Sequence, residues 1–403
     1  MRILILSESF PPETKSASTL FFELAESLAK RGHGVSVVTR MPRYNIAERT
    51  ASNKVPAHEV ISGINVHRFR MPPLARRVPF IRGLEHFLLA LVFFFGALKL
   101  KDHDVILVYS PPLPLGVAGY WLGRIKKIPV IVNIQDPLPQ GVIDLGLLKN
   151  KLLIKVSRMM ESFVYRRSDI ITVHTEGNRD YVVGRGSKPD STRVVYNWVD
   201  TGLVKPGPKD NLISKKFNLT GKFVVSFAGT MGFAQGLDVV LDAAKLLKDK
   251  PEISFILVGD GVERPALEQR AKKEGLSNVI FARTQPLDVY PEVLAASDAC
   301  LVTLRKELTV ASIPGKLLSI MAAGRPVIAS VPLAGDVPKK INAFDCGICV
   351  EAGEAGDLAK AVLKLYNNKM LCSRLGENGR KAAERVFSRE DAVFKYIGIM
   401  EKL

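Results

Sequence analysis

Short apolar runs alternate with amphipathic stretches in the first half of the chain. The runs lie at residues 3–6, 35–39, 105–109, 130–134 and 170–173. Between the first two runs, residues 19–31 place apolar side chains at helical spacing, and Gly32 follows as a stop signal. Buried strands separated by crossover helices are typical of a parallel sheet covered by helices.

The same alternation starts again after a segment that lacks it. Residues 201–211, "TGLVKPGPKDN", contain Pro and Gly and predict a linker. Further strands are predicted at 224–228, 255–258, 279–281, 300–302 and 327–329, with helices at 237–248 and 263–274. We therefore predict an α/β protein of two Rossmann-like doubly wound domains, with the ligand site in the cleft between them. The predicted divisions are an N-terminal domain at 1–200, a C-terminal domain at 201–385, and a final helix at 386–403 that packs back toward the N-terminal domain.

One predicted helix is unusually apolar. In "FIRGLEHFLLALVFFFGALKLK", residues 80–101, the part from 87 to 98 carries no charge. It is too short to span a bilayer, which requires about 20 residues. A helix buried between the sheet and its neighbours is one interpretation. We favour contact with a membrane surface because basic residues flank the helix. The predicted membrane residues are Phe87, Leu91, Phe94 and Phe95, and the flanking basic residues are Arg76, Arg77, Arg82, Lys99 and Lys101.

Charge and cysteine content narrow the partners. Lys and Arg total 57 against 40 Asp and Glu, giving a formal net charge of +17, which favours phosphorylated ligands or anionic lipid. Nucleic acid is disfavoured because there is no long basic block and no interleaving of aromatic with basic residues. The 4 cysteines indicate a reducing compartment, and Cys346 to Cys349 is interpreted as a buried strand, not a metal or redox site. The N-terminus is interpreted as a first strand, not as a signal peptide.

Three glycine-containing segments could hold an anion. "FAGTMGFAQGLD", 227–238, leads from a strand into a helix predicted near Gln235, and "VGDG", 258–261, precedes Arg264. In "SIPGKLLSIMAAGRPVIAS", 312–330, Pro314 and Lys316 begin a helix. Backbone N–H groups at such turns and helix starts bind phosphate. If the segments meet, Lys316 and Arg264 would neutralise a diphosphate; otherwise the glycines only permit tight turns and the cations are solvated.

Other chemistries lack their motifs. The 6 histidines form no i,i+4 pair for zinc. Neither a Gly-x-Ser-x-Gly elbow nor a Gly-x-Gly-x-x-Gly turn occurs. The sequence Asp102-His103-Asp104 precedes its strand, which puts it at the wrong edge of the sheet for a metal-dependent site. We expect no metal and no cofactor.

The chain resembles the family 4 glycosyltransferases, which have the GT-B fold of two Rossmann-like domains. The resemblance covers nearly the whole chain and rests on "SFPPE", "RRSDIITVHTE", "NWVD", "AGTMGFAQGLD", "LVGDGVERPALE", "ASDACLVTL" and "PGKLLSIMAAGRPVIA". Together with "DPLPQ" at 136–140, these segments are most similar to the branch that builds bacterial surface polysaccharides (O-antigen or capsule) on lipid carriers.

The resemblance implies a retaining hexosyltransferase that uses a nucleotide-diphosphate sugar, UDP-linked, and a lipid-linked (polyprenyl diphosphate) saccharide acceptor. Its place would be the cytoplasmic face of the membrane, as a peripheral protein. Asp136, Arg264 and Lys316 are the implied catalytic residues, and Glu307 could contact sugar hydroxyls. The implied acceptor-side residues are Ser16, Ser110 and Gln135. The implied donor-binding residues are Gly229, Thr230, Gly232, Gln235, Gly259, Gly261, Arg283, Pro314, Gly315 and Ser319.

Five positions depart from the family pattern. Ser16-Ala17 replaces a Gly-Gly pair, Gln235 replaces a Lys, Gln135 replaces a His, and Ser319 replaces a Glu that hydrogen-bonds the donor ribose. A serine hydroxyl is too short to replace that carboxylate directly. The departures at Gln135, Gln235 and Ser319 leave open a nucleotide-sugar-binding scaffold that lost turnover. A second alternative is a GT-B-fold nucleotide-sugar epimerase. The latter is disfavoured because an epimerase has no use for an apolar docking helix.

Overall fold

A computed structural model describes residues 1–13, 16–42, 55–72, 79–309 and 313–403. The chain divides into two compact units. The first comprises Met1–Asn197 together with Arg389–Leu403, and the second comprises Trp198–Ser388. The sequence placed these divisions at 200/201 and 385/386.

The first unit is an eight-stranded sheet covered by helices. All strand pairs are parallel except the hairpin of β3 and β4. The strands lie in the order β3-β4-β2-β1-β5-β6-β7-β8. Their bounds are β1 Arg2–Leu6, β2 Gly34–Arg40, β3 His58–Ile61, β4 Ile64–Phe69, β5 Val105–Ser110, β6 Val130–Ile134, β7 Ile170–Val173 and β8 Thr192–Val194. The helices are α1 Ser16–Lys30, α2 Pro79–Leu98, α3 Pro114–Lys126, α4 Gln140–Asp144, α5 Lys151–Arg167, α6 Glu176–Gly184 and, from the end of the chain, α15 Arg389–Met400.

The second unit is a six-stranded, fully parallel sheet in the order β11-β10-β9-β12-β13-β14. Its strands are β9 Phe223–Ala228, β10 Ile253–Val258, β11 Val279–Ala282, β12 Ala299–Thr303, β13 Val327–Ser330 and β14 Gly347–Val350. Its helices are α7 Leu212–Lys216, α8 Asp238–Leu246, α9 Arg264–Lys273, α10 Tyr290–Ala295, α11 Gly315–Ala322, α12 Asp336–Phe344, α13 Ala355–Tyr366 and α14 Lys369–Val386. The predicted fold class is confirmed.

The central strands are buried on both faces, which explains their continuous apolar sequences. Ile3, Leu4, Ile5 and Leu6 of β1 have no exposed surface, and β5, β6 and β10 are buried throughout. Helices on both sides of a parallel sheet remove both faces from water, so no polar alternation is needed. This burial of apolar surface is the main stabilising contribution to each core.

The strand orders place a switch point in each sheet. In the first unit β1 lies between β2 and β5, and in the second β9 lies between β10 and β12. The chain leaves β9 toward one side of the sheet and returns at β12 on the other. Ligands of such sheets bind beyond the carboxyl ends of the strands at this point. The connections after β9, β10 and β12 therefore lie where such a sheet binds its ligand.

Helix α2 has one buried side and one exposed side. Leu89, Phe93 and Ala97 join the core of the first unit, at most 2% exposed, whereas Phe95 is 60% exposed. The helix therefore packs on the core and still presents apolar side chains to solvent, and its contact with a membrane stays a prediction. None of the described helices has the length and hydropathy needed to cross a membrane.

Candidate active site

Two glycine turns pack backbone against backbone at the switch point of the second sheet. A Cβ on Gly259, after β10, would lie 1.9 Å from the carbonyl oxygen of Gly229, after β9. A Cβ on Gly261 would lie 2.3 Å from the carbonyl oxygen of Met231. The backbone N–H of Met231 donates to the carbonyl of Asp260 at 2.9 Å. Only glycine permits this approach, so the two predicted turns form one continuous backbone surface.

Lys316, in the first turn of α11, reaches the first of these turns. Its Nζ lies 3.3 Å from the position a Cβ on Gly229 would occupy, and 3.8 Å from the ring centroid of Phe227. The ammonium donates a hydrogen bond to Oε1 of Gln235. The segment from 227 to 238 and the start of α11 therefore meet at one point, as the sequence predicted.

The environment of Lys316 disfavours its own charge. The side chain is half-buried, and desolvation lowers the pKa of its ammonium group to about 7. A cation that is poorly hydrated and adjacent to a glycine backbone gains the most from a bound anion, because the anion replaces the lost water. A strongly perturbed pKa at a sheet switch point is also a typical property of a functional site.

The helix after β9 begins later than predicted. A 3₁₀ turn occupies Phe233–Gln235, Gly236 follows in the left-handed region with φ of 58°, and α8 begins at Asp238. The start predicted near Gln235 is therefore one turn too early, whereas the helix predicted at 237–248 agrees with α8. Thr230 is exposed and Gly232 precedes the 3₁₀ turn, so both remain accessible for a ligand.

Arg305, which the sequence reasoning missed, holds this 3₁₀ turn in place. Its Nε donates to the carbonyl of Phe233, and its Nη2 donates to Oε1 of Glu263 at 2.9 Å. Its Cγ lies 3.0 Å from the position a Cβ on Gly236 would occupy. The signal was available, since Arg305 lies two residues past the end of β12 at the carboxyl edge of the sheet.

Arg264, predicted to face the donor phosphates, is engaged with the protein. Its Nη1 donates to the carbonyl oxygens of Gly259 at 2.6 Å and Ala282 at 3.1 Å. Its Nε donates to Oε1 of Glu268 at 2.8 Å. In this arrangement Arg264 ties the second glycine turn to the end of β11, and its contact with a donor stays a prediction.

The remaining donor-side residues lie around the start of α11 and beyond β11. Pro314 precedes α11, and Gly315 faces open space. The Ser319 hydroxyl is hydrogen-bonded to the phenol of Tyr290, which accounts for the partner of this unusual serine. Arg283, just past β11, and Glu307 are exposed. Residue 312 of the predicted motif lies outside the described residues.

In the first unit, Ser110 and Gln135 are adjacent at the carboxyl edge of the sheet. The Gln135 N–H donates to the Ser110 carbonyl at 2.9 Å. The side chains of Gln135 and Asn197 exchange hydrogen bonds in both directions, at 3.0 and 2.7 Å. Asp136 follows; its side chain is accessible, and desolvation by surrounding protein raises the pKa of its carboxyl group. Ser16 begins α1, on the connection after β1.

Comparison with known proteins decides the family. The glycosyl transferases group 1 family matches residues 209–382, and the glycosyl transferase 4-like domain matches residues 17–198. This chain belongs to the family 4 glycosyltransferases. The predicted resemblance and the predicted enzyme class are confirmed. In this glycosyltransferase, Gly229 and Lys316 lie within the group 1 match. Gln135 and Asp136 lie within the 4-like match.

Full-length relatives share this organisation. The glycosyltransferase is 23% identical to the putative colanic acid biosynthesis glycosyl transferase WcaI of Escherichia coli, over 98% of this chain and 99% of the relative. It is 22% identical to the probable glycosyltransferase WbjE of Pseudomonas aeruginosa, over 100% and 98%. The solved structure of Anabaena HepE in complex with UDP and glucose superimposes with a TM-score of 0.77 at 18% identity, covering 100% of both chains. The shared fold is GT-B.

No group of three or more His, Cys, Asp or Glu side chains in the described parts of the glycosyltransferase is arranged to hold a metal ion. At the switch point of the second unit, the Lys316 side chain lies against the first glycine turn.

Proposed function

We propose that this glycosyltransferase moves a sugar from a UDP-linked donor to a lipid-linked saccharide at the cytoplasmic face of the cell membrane, with retention of anomeric configuration. The observation that carries the proposal is Lys316, whose Nζ lies against Gly229 while desolvation lowers its pKa to about 7. This is the environment that a diphosphate would complete.

Retention follows from the expected chemistry of the diphosphate. When the bond between the anomeric carbon and the diphosphate breaks, negative charge develops on the leaving oxygen. Lys316 and the neighbouring glycine turns would stabilise that charge, which is the task a preorganised site performs best. The leaving diphosphate then takes the proton of the acceptor hydroxyl on the same sugar face. Under this proposal the reaction requires no metal, and Asp136 orients the sugar.

The comparisons support the donor and the acceptor in outline. HepE, which shares the fold, was solved with UDP and glucose. WcaI bears a colanic acid biosynthesis name. Both agree with a UDP-sugar donor and a growing surface polysaccharide as acceptor, which in this proposal is carried on a polyprenyl diphosphate.

The apolar stripe on α2 supports membrane contact. Phe87, Leu91 and Phe95 are 46%, 55% and 60% exposed, and Phe94 is half-buried with its ring 5.3 Å from that of Phe95. Large side chains exposed along one helix face bury apolar area when they enter the headgroup region. Lys99 is exposed at the end of the helix, whereas Arg76, Arg77 and the Arg82 side chain lie outside the described residues.

The test is transfer of radiolabelled sugar from UDP-sugars to polyprenyl-diphosphate saccharides in membranes. We expect incorporation that is abolished in Lys316→Ala and retained in Lys272→Ala, an exposed lysine of α9. Nucleotide binding without incorporation into any acceptor would instead identify a scaffold. Release of an epimerised sugar nucleotide would identify an epimerase.

A further inference from the structure

Exposed apolar side chains are not confined to α2 but continue onto two neighbouring helices. Helix α2 packs along α3, and α3 packs along α5. On α3, Trp121 and Ile125 are 52% and 55% exposed, and on α5, Leu152 and Met159 are 67% and 63% exposed. Three adjacent helices thus present large apolar side chains, a concentration that monomeric soluble domains seldom show without a partner.

The spacing shows that each set forms one stripe. Leu152, Val156 and Met159 lie at i, i+4 and i+7 on α5, and Trp121 and Ile125 lie at i and i+4 on α3. The opposite sides of these helices are core, since Leu122 of α3 and Val164 of α5 are at most 1% exposed. The stripes therefore point away from the sheet. We call the outward side of α2, α3 and α5 the three-helix face.

The exposed charge on the three-helix face has one sign. The sequences of the three helices contain two acidic residues, Glu85 and Glu161, which are 3% and 0% exposed. Glu161 accepts from Arg158 at 3.0 Å and from the Tyr181 hydroxyl at 2.7 Å. The exposed basic side chains have no carboxylate partner within the described residues. They are Arg124, Lys151, Lys155, Arg166 and Arg167.

A basic groove continues the face where α3 and α5 end. It has a volume of about 740 Å³ and lies at the amino-terminal edge of the sheet, away from Ser110 and Gln135. Its one acidic lining residue, Asp169, accepts a hydrogen bond from the Val130 N–H at 2.8 Å. The basic residues that line it are Arg124, Lys127, Arg166, Arg167 and Lys188.

We propose that the three-helix face docks on an anionic phospholipid bilayer, with α3 and α5 contributing as much as α2. This inference rests on the membrane location in the proposed function and assigns its surface and lipid class. Apolar stripes with basic residues beside them match the acyl and headgroup layers of an anionic leaflet. A second copy fits less well, because a two-fold interface would bring two like-charged faces together.

Vesicle sedimentation tests the α5 contribution. We expect the full-length protein to bind vesicles of phosphatidylglycerol and phosphatidylcholine. The triple variant Leu152→Ser/Val156→Ser/Met159→Ser should lose at least about tenfold in affinity. Lys151→Gln/Lys155→Gln should weaken binding and reduce its dependence on salt. The matched controls in the second unit are Leu246→Ser/Met370→Ser and Lys272→Gln/Lys273→Gln, which change exposed residues and should bind as wild type.

Tryptophan fluorescence tests α3 directly. The chain has 2 tryptophans, and Trp198 is only 7% exposed, so Trp121 is the accessible one. We expect anionic vesicles to shift its emission to the blue and brominated lipids to quench it, and both effects to vanish in Trp121→Phe. Wild-type binding by the α5 triple variant, equal binding to pure phosphatidylcholine, or an unchanged spectrum would each overturn the proposal.

Transfer to a short-chain, water-soluble acceptor separates this inference from the proposed function. The α5 variants should keep that activity while losing transfer to acceptors embedded in vesicles. A wild-type enzyme that transfers sugar but binds no vesicle, or a dimer that the α5 changes dissociate, would refute docking and leave the proposed function intact. Vesicle binding with no transfer to either acceptor would support docking and refute the proposed function.

Discussion

The side-chain amide of Asn133 donates a hydrogen bond to the hydroxyl of Tyr396 at 2.9 Å, joining β6 to the last helix of the chain. The amide also donates to Thr172 Oγ1 at 3.1 Å, and Asn133 Oδ1 accepts from Gln135 Nε2 at 2.9 Å. Tyr396 is 2% exposed, so the network is dry. A buried network in which each member is satisfied fixes its members rigidly. Gln135, at the end of this network, directly precedes Asp136.

Tyr396→Phe should therefore slow transfer without weakening nucleotide binding. Loss of the hydroxyl leaves one N–H of the Asn133 side-chain amide buried without its acceptor. This should lower the free energy of unfolding by about 1–3 kcal/mol. We expect kcat to fall about tenfold as the Asp136 connection loosens, with the Kd for UDP unchanged.

Tyr366→Phe is the matched control, because the Tyr366 hydroxyl makes only an exposed 3.4 Å contact with Glu252. Its kcat should equal that of wild type. If Tyr396→Phe lowers the melting temperature but leaves kcat unaltered, the network is structural only.

Nucleotide binding should be coupled to proton uptake through Lys316. Its pKa of about 7 means that the free enzyme holds this side chain largely neutral at pH 8. A bound diphosphate favours the charged form and raises the pKa, so a proton is taken up. Calorimetry of UDP binding at pH 8 in buffers of different ionisation enthalpy should show this uptake, and Lys316→Arg, charged throughout, should not.

The same pKa predicts how stability depends on pH. Because the ordinary lysine pKa of 10.5 is lowered on folding, the unfolded chain binds the additional proton between about pH 7 and 10.5. Stability from this group therefore increases as pH rises through that window, and is lowest below it. Lys316→Met should remove this increase in urea titrations at pH 7 and 9. An identical pH dependence in wild type and variant would contradict the assignment.

Gly259→Ala should disrupt both glycine turns at once. The new Cβ would lie 1.9 Å from the Gly229 carbonyl oxygen, and the φ of 154° is strained for any side chain. The backbone strain alone should cost about 1–3 kcal/mol, so we expect a lower melting temperature. We also expect UDP to lose its stabilising effect on that temperature. Gly353→Ala shares a positive φ but meets nothing within 4 Å, so it reports strain without the clash and should keep the response to UDP.

Arg305→Gln should weaken donor binding although Arg305 is not expected to touch the phosphates. Without its bonds to Phe233 and Glu263, the 3₁₀ turn that carries Gln235 loses its support. We expect the Kd for UDP to rise about fivefold, equivalent to about 1 kcal/mol. Arg270→Gln is the control, since Arg270 pairs with Asp238, Asp242 and Glu274 on the surface of the same unit. An equal loss in both variants would indicate a general effect on stability.

The strands with continuous apolar sequences could be predicted closely, and the polar edge strands could not. β6 and β7 were predicted with the bounds they have, because burial on both faces requires an uninterrupted apolar run. The β3–β4 hairpin was missed. Its β4 strand contains Arg68, 4% exposed and paired across the hairpin with Glu59, whose side chain is 29% exposed, so an ion pair stands where the alternation of a strand would place an apolar side chain.

The two glycine turns could be predicted because Gly229 and Gly259 directly follow strands, and parallel topology brings those ends together. Lys316 does not follow a strand directly; its place was predicted from Pro314, which precedes its helix. The partners that hold the site are another matter. Tyr396 contacts Asn133 across 263 positions of sequence, and the Tyr290 partner of Ser319 lies on a different helix. Side-chain hydrogen bonds of this separation leave no periodic trace in the sequence.

The return of α15 to the first unit makes the second unit an insertion within the first. Trp198–Ser388 is continuous, whereas the first unit is completed only by Arg389–Leu403, whose Tyr396 fills a place in its buried network. During synthesis the first unit therefore stays unfinished until α15 has been made. An exchange of the second unit between relatives needs two junctions, near 197 and near 389, and a single crossover would leave a recipient without its own α15.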